Sequence, residues 1–456
     1  MTQKTCVVVG GGVVGLLAAY LASKNYDKVI LIERSTHLGG LLGSFERNGA
    51  IYDYGTHVPA FTGIDELDDA LYGTASERQA QYHFLPYLRS ENFFSGTWNT
   101  TSPLIDSRSL PSEDYTQGIL ALLEAPGADP ENDNLYQYLI HTFGETFTEK
   151  IYRPVMKKLL HTELENIHKV VLKTFGLQRL IALTPEVTRD LKKLKNYDAS
   201  LGFHSYTEGS PGIPYCYPKG NKGISHWPET LLAKIKRAGV SVMTGVFVQH
   251  IHQTDAQIQS LTLNDGTSII CDHVLWTVPP ALALKAANLP LNTAPPVFRT
   301  HTLCHYQFRD PFLKSFPQYL LCWDSSMLSY RITLYPNISE DRRATGCHNL
   351  TVEVLSDATA EAKIQEISNT VLGELRTMQV VGHDNPLIDS QVNFLGNSFP
   401  VVTKEFLDNA KYLQERVELA FANITLLGRG AGATFFINDL LIETYHKVRH
   451  LDSHHG

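Results

Sequence analysis

A chain of 456 residues with 43% hydrophobic side chains can bury two or three domain cores, which excludes a disordered or fibrous polymer. The formal charge of -8 is mild and Lys and Arg are scattered, which excludes an electrostatic nucleic-acid surface. No apolar run approaches about 18 residues, so no transmembrane segment is expected.

The six cysteines form no C-x-x-C pair and read as reduced, buried thiols. The first strand begins almost at once and leaves no room for a signal peptide, so a cytoplasmic protein is expected. Lys192, Lys193 and Lys195 read as a solvated helix face. No His, Cys or carboxylate pattern calls for a metal.

In chain order, residues 6–9 are a short apolar run, β-branched at three of four positions, which suits a strand buried on both faces. Gly10, Gly12 and Gly15 follow in G-x-G-x-x-G spacing, and residues 13–24 carry apolar side chains at helical spacing. One glycine makes the turn, one lets a pyrophosphate reach the backbone, and one lets helix and strand pack closely. The helix N-terminus, with Val13 and Val14 in its first turn, offers free N–H groups to an anion. A second strand over 28–32 ends at Glu33, about twenty residues beyond the glycines, where a ribose hydroxyl partner is expected. The order strand, glycines, helix, strand, acid predicts dinucleotide binding.

Beyond Glu33 come Arg34, the doublet Gly39-Gly40, Leu41 and Leu42, a hairpin turning at Asn48-Gly49, and Asp53-x-Gly55-x-His57. These features together resemble the FAD-binding start of the flavin amine oxidase, protoporphyrinogen oxidase and UDP-galactopyranose mutase superfamily. An enzyme that binds NAD alone has no reason to carry the doublet and hairpin. The resemblance implies an α/β fold: a Rossmann-like FAD-binding domain of the glutathione-reductase type, interrupted by a helical insertion and by a mixed α+β substrate domain. It implies non-covalent FAD, with the diphosphate near Gly12, Gly39 and Gly40 and with Gly55, Thr56 and His57 beside the isoalloxazine ring.

The expected divisions are 1–63 for the first FAD-binding part, 64–205 for a mainly helical cap, and 206–284 for the second FAD-binding part. Residues 285–420 form the substrate-domain sheet and helices, and 421–456 the last FAD-binding part. In the second part, a glycine-rich loop from Tyr215 precedes a helix over 226–238 and a strand over 241–251, and Asn264-Asp-Gly-Thr marks a hairpin. The resemblance implies that Val248 meets the adenine end of FAD through its backbone. At the C-terminus, a strand over 423–427, Gly428-Arg429 and a helix over 438–448 resemble the family's last cofactor contact. This implies Gly428 and Arg429 near the diphosphate or ribityl chain, and Asn438 and Asp439 against the flavin pyrimidine, where a helix N-terminus stabilises negative charge.

Flavin chemistry needs position and field from the protein rather than a side-chain triad. His57 is the first catalytic candidate, because its unperturbed pKa lies near neutrality; a packed, loop-fixing histidine is the alternative. Arg153, after Tyr152 and before Lys157 and Lys158, suits an anionic substrate group; a surface salt bridge is the alternative. Arg331 sits on a predicted strand, where alternation sends Tyr330 to the opposite face, and Glu353 on the next strand is a partner for it.

Three readings stay open. The first is an FAD-dependent oxidoreductase that takes a hydride from a small molecule onto flavin N5. The second is a UDP-galactopyranose mutase-like isomerase acting on a nucleotide sugar through reduced flavin. The family's G-P-H is G-T-H here, and Leu159-Leu160 stand where a Trp follows in the mutases. The third is a non-catalytic flavin-binding partner protein. The expected partner is a small molecule, anionic or a nucleotide sugar, with no nucleic acid; a homodimer is compatible with the sequence.

Overall fold

Thr5–Val9 is the central strand of a five-stranded, wholly parallel sheet. The order across the sheet is Ile424–Leu426, His273–Trp276, Thr5–Val9, Lys28–Glu33, Ser241–Thr244. The structure is a computed structural model and describes residues 3–129, 131–210, 212–357, 362–431 and 434–451. One side of the sheet packs in a single core with the helices Val13–Ala22, His226–Arg237 and Ile437–His450. The other side packs on a small antiparallel sheet (Val248–Thr254, Gln257–Leu263, Ser268–Ile270) and on the helix Lys404–Ala420 through Val417. Both faces are covered, which is why the central strand reads as unbroken apolar sequence rather than as alternation.

The glycine turn has a steric cause. A Cβ built on Gly15 would lie 1.9 Å from the Gly10 carbonyl oxygen, so only glycine lets the helix approach the strand this closely. A Cβ on Gly12 would meet no atom within 4 Å.

The second large sheet has seven strands in the order Leu387–Pro400, Phe298–Phe308, His348–Ser356, Arg331–Leu334, Tyr319–Cys322, Ser90–Phe94, Thr97–Asn99. Its rear face (Cys304, Tyr306, Ile332, Val352 and neighbours) is apolar and is covered by the helix Ile364–Thr377. Its front face is unusually polar. His305 stands opposite Thr351, Thr351 opposite Thr333, and Glu353 opposite Arg331.

Several sequence expectations are corrected. Within the mainly helical stretch 64–205, three strands were not expected: Tyr82–Leu85, Ser90–Phe94 and Thr97–Asn99, of which the last two extend the seven-stranded sheet. Three of the five residues of Ser90–Phe94 are polar, and the strand owes its order to pairing with Tyr319–Cys322, far along the chain. The stretch from Tyr215 begins as a strand, Tyr215–Pro218, paired with Tyr82–Leu85. The expected strand 241–251 is two strands in two different sheets, separated at Gly245. The helix Pro185–Leu191 ends before the three lysines read as a solvated helix face, and the Lys192 side chain is buried, donating to Asp198 and to the Leu201 carbonyl rather than facing water. Leu387–Pro400 and Lys404–Ala420 were not foreseen, because the first is an edge strand that buries only Phe399 and shows no regular alternation, and the second buries only Val417.

Gly15→Ala is expected to destabilise the fold by about 3 kcal/mol through overpacking, whereas Gly12→Ala shifts stability by less than about 1 kcal/mol. Urea unfolding of the two variants checks the contrast.

Candidate functional site

The helix Val13–Ala22 begins at Gly12 with no side-chain cap, so its first N–H groups have no side-chain acceptor. Gly12 is bridged to Gly39, and the Gly39 N–H donates to the Gly11 carbonyl at 2.8 Å. The predicted doublet is thus held against the predicted turn, and the space a Cβ would fill at Gly12 opens beside Gly40. Val13 and Leu42 are core residues, Val14 is half-buried, and Arg34 and Leu41 are exposed. Glu33 accepts from the backbone N–H of Gly11 at 2.6 Å and of Ser35 at 2.7 Å. These bonds fix the carboxylate at the strand end and leave further lone pairs for a diol. The loop before Val248 is tied to the same strand end, since Gly245 N–H donates to the Ser35 carbonyl and Val246 N–H to the Glu33 carbonyl. These residues fit a dinucleotide: an uncapped helix terminus and an open cradle for the diphosphate, and a held carboxylate for the ribose.

The hairpin Ser44–Arg47 and Ala50–Asp53 leads into Gly55, whose φ of +107° is a conformation that favours glycine. The Gly55–His57 segment docks on the polar face of the seven-stranded sheet. Glu353, 2% exposed, is the anchor. It accepts from Arg331 Nε at 2.8 Å and Nη2 at 2.7 Å, and from the Thr56 N–H at 2.9 Å. His301 Nε2 lies 3.6 Å from the same carboxylate. Thr56 and Thr333 share a hydroxyl–hydroxyl hydrogen bond.

Electrostatics follow from this geometry. Burial pushes the Glu353 carboxyl up, but the Arg331 charge and hydrogen bonds more than offset it and hold the group down at about 2. Burial also pushes His301 down to about 4 against the attraction of Glu353. His57 is lowered by burial as well. Its Nε2 lies 3.1 Å from the Tyr54 carbonyl oxygen, which can only accept. The ring proton is therefore assigned to Nε2, and Nδ1 carries a lone pair.

Beyond the charged pair runs an aromatic wall. Tyr330 packs edge-on to Phe175, Phe175 stacks on Phe399, and Phe399 meets Phe435, with centroids 5.6, 5.1 and 5.7 Å apart. The wall draws on the helical insertion, the seven-stranded sheet and the C-terminal segment together. Arg429 lies over the Phe435 ring and donates Nε to the Phe435 carbonyl. Gly428 is buried beside the Thr277 carbonyl. Asn438 donates to the carbonyls of Ala60 and Phe61, just beyond His57.

Of the sequence candidates, His57 and Arg331 share the neighbourhood of Glu353, and Arg153 does not join them. Arg153 is bound by Glu149 at 2.7 Å and Glu165 at 2.8 Å, lies within 3.5 Å of Glu163, and rests on Tyr136. A guanidinium among three carboxylates is the surface salt-bridge arrangement, the alternative to an anion site, and it lies apart from Glu353. The regular strand starts at Arg331, so alternation does not separate it from Tyr330, and the guanidinium sits over the Tyr330 ring. The Asp439 side chain turns to Lys173 at 3.4 Å, leaving the helix N–H groups rather than this carboxylate for a flavin. His301, Phe175 and Phe399 were missed. The signal for His301 was its even spacing from His305 and Gln307 in the strand Phe298–Phe308, which puts the three on one face.

Among the described residues no helix is long and apolar enough to cross a membrane. Comparison with known proteins agrees with this architecture. The model of the NAD(P)-binding Rossmann-like domain matches residues 8–66, and that of the flavin containing amine oxidoreductase family matches residues 109–420. A 4,4'-diaponeurosporene oxygenase of Staphylococcus haemolyticus is 25% identical over 60% of this chain and 55% of its own. A 1-hydroxycarotenoid 3,4-desaturase of a Flavobacterium species is 22% identical over 58% of this chain and 54% of its own. The chain thus matches little more than half the length of these relatives. The crystal structure of a reduced UDP-galactopyranose mutase superposes with a TM-score of 0.77 at 18% identity, covering 99% of this chain and 94% of that one. The fold is shared with that enzyme, and the match to the family model spans more than half of the sequence. The chain belongs to the flavin containing amine oxidoreductase family.

Proposed function

We propose that this flavoenzyme dehydrogenates a small molecule held between the aromatic wall and the Gly55–His57 segment, removing a hydride and a proton from adjacent atoms. The observation that carries the reading is the assigned tautomer of His57: a neutral, part-buried imidazole with its Nδ1 lone pair free and its other nitrogen held by Tyr54. FAD, held at the Gly12–Gly39 cradle and by Glu33, would supply the acceptor for the hydride and its electron pair. His57 Nδ1 takes the proton, so that a C–H bond and an adjacent X–H bond are exchanged for a double bond. Its lowered pKa keeps it unprotonated at neutral pH and ready for that task. Arg331 and Glu353 cancel each other's charge and hold Thr56, so the loop is positioned without a net field. The rings of Tyr330, Phe399 and Phe435 shield the site from water and offer an apolar or planar substrate a surface to lie on. The carotenoid desaturase and oxygenase relatives support an apolar substrate of this kind.

The second reading, an isomerase of nucleotide sugars, is favoured by the guanidinium of Arg429, which lies over Phe435 and is bonded to a carbonyl rather than to a carboxylate, and so suits a diphosphate. Anaerobic mixing of the oxidised holoprotein with polyenes, amines and nucleotide sugars separates the two. Bleaching of the flavin band by an apolar compound or an amine supports dehydrogenation. Conversion of a nucleotide sugar by the reduced protein alone overturns it.

Gly12→Val is expected to fold and to purify colourless, because its Cβ meets no protein atom within 4 Å and the branched side chain takes up the space of the cradle. A yellow, fully loaded variant would remove the diphosphate from Gly12. His57→Ala is expected to keep its flavin and to slow flavin reduction by substrate about 10²–10⁴-fold, the usual contribution of a positioned base. An unchanged rate returns His57 to a loop-fixing role. Because His301 is lowered from 6.5 to about 4, its contribution to stability is complete above pH 6.5 and is lost as the pH falls toward 4. Over that window the unfolding free energy of wild type is expected to fall by about 3 kcal/mol relative to His301→Gln. Urea titrations of both proteins from pH 7 to 4 read it directly.

A further inference from the structure

The edge strand Leu387–Pro400 does not run evenly along its neighbour Phe298–Phe308. Phe399 pairs with Arg299 and Leu395 with His301, so Gly396, Asn397 and Ser398 stand against Thr300 alone. Asn397 has a φ of +50°, in the left-handed region that Asn tolerates better than most side chains. A bulge at a sheet edge re-aims a side chain, and this one brings Ser398 onto His301. We propose that His301 is a positioning residue for the His57 segment: braced by Ser398, it holds Glu353, and Glu353 holds Thr56. This role rests on the dehydrogenation reading only for the importance of where His57 sits.

The hydrogen bonds fix the ring. Ser398 Oγ accepts from the His301 backbone N–H at 3.1 Å and lies 2.9 Å from the ring Nδ1. On the other side of the ring, Nε2 lies 3.6 Å from Glu353 Oε2, and an ionised carboxylate can only accept. Burial lowers the pKa of His301 to about 4, so at neutral pH the ring carries a single proton. That proton belongs on Nε2, facing the carboxylate, and the Ser398 hydroxyl donates to Nδ1. Phe399 backs the ring edge-on, with centroids 5.9 Å apart.

Glu353 has room for the contact. Its Oε1 accepts from Arg331 Nε and from the Thr56 N–H, while Oε2 accepts from Arg331 Nη2 and keeps a lone pair over. At 3.6 Å the Nε2–H acts on Oε2 as an oriented dipole rather than as a full hydrogen bond. The carboxylate is 2% exposed, so little water competes with that dipole. The titratable groups acting on His301 are Glu353, Arg331, His57 and Arg429, and Glu353 is the anion among them. The hold passes on through the Thr56 N–H, 2.9 Å from Oε1 and one residue before His57.

The test uses the FAD-loaded full chain and needs no substrate. One readout is hydrogen exchange at the Thr56 amide, by mass spectrometry of overlapping peptides. The other is the His301 tautomer, by long-range ¹H–¹⁵N NMR of ¹⁵N-histidine-labelled protein, assigned against His301→Gln. Wild type is expected to show the Nε2–H tautomer. Ser398→Ala, at a half-buried edge position, is expected to lose that tautomer and to exchange Thr56 about threefold faster, the worth of a weak hydrogen bond. Ser398→Thr keeps the hydroxyl and is expected to restore both readouts. Amides of Thr5–Val9, in the other large sheet, are expected to exchange as in wild type throughout. An Nδ1–H tautomer in wild type, unchanged Thr56 exchange in Ser398→Ala, or an equal rise in Thr5–Val9 overturns the role. Failure of the dehydrogenation reading leaves these outcomes as they are and shows instead as a flavin band that no apolar compound or amine bleaches.

Discussion

The buried carboxylate of Glu353 is the joint on which the site depends. It belongs to the seven-stranded sheet, yet one of its oxygens accepts from the Thr56 backbone in the nucleotide-binding part of the chain. A lone carboxylate at this depth would protonate or stay solvated. Arg331, directly opposite on the neighbouring strand, makes burial tolerable by a two-point hydrogen-bonded pair. Such a pair adds little net stability against an apolar replacement, but breaking it leaves a buried charge at a cost of about 3–5 kcal/mol. Its value lies in position: the loop that carries His57 has one place to sit.

A second joint works in parallel. The Asp53 carboxylate accepts from Ser44 and from the Ile224 N–H, and Tyr217 donates to it as well. Tyr217 and the Ile51 carbonyl in turn accept from Arg342, while Tyr335 bonds the Asp53 backbone and the Thr351 hydroxyl. The hairpin is thus pinned at its base by Asp53 and at its exit by Glu353, and between them Phe45 and Tyr52 pack on His305. Three separate stretches of chain, from the hairpin, the 215–225 loop and the second insertion, become one rigid floor.

The aromatic wall shows the same division of labour at the substrate side. None of Phe175, Tyr330, Phe399 and Phe435 is close to the others in sequence: the first comes from the helical insertion, the next two from the second insertion and the last from the C-terminal segment. A rigid cofactor platform with a wall assembled from variable insertions lets one fold serve many substrates, so the family's name alone does not name this chain's substrate.

The nucleotide-binding half was legible in the sequence because its constraints are local. The turn at Gly10–Gly15, the doublet Gly39-Gly40 and the acid Glu33 are set by backbone approach distances within a short span, and each occupies the place in the turn expected of it. Arg331 and Glu353 were legible as a pair because adjacent strands place them opposite one another. Arg153 misled because an arginine's charge says nothing about which carboxylates have already claimed it. The sequence by itself thus determined the fold class, the cofactor and the loop ending in His57. Only the tertiary structure decided that Ser90–Phe94 joins a distant sheet, that His301 is buried beside Glu353, and that four scattered rings form one wall. Such contacts join residues far apart in the chain, where neither periodicity nor motif spacing carries information.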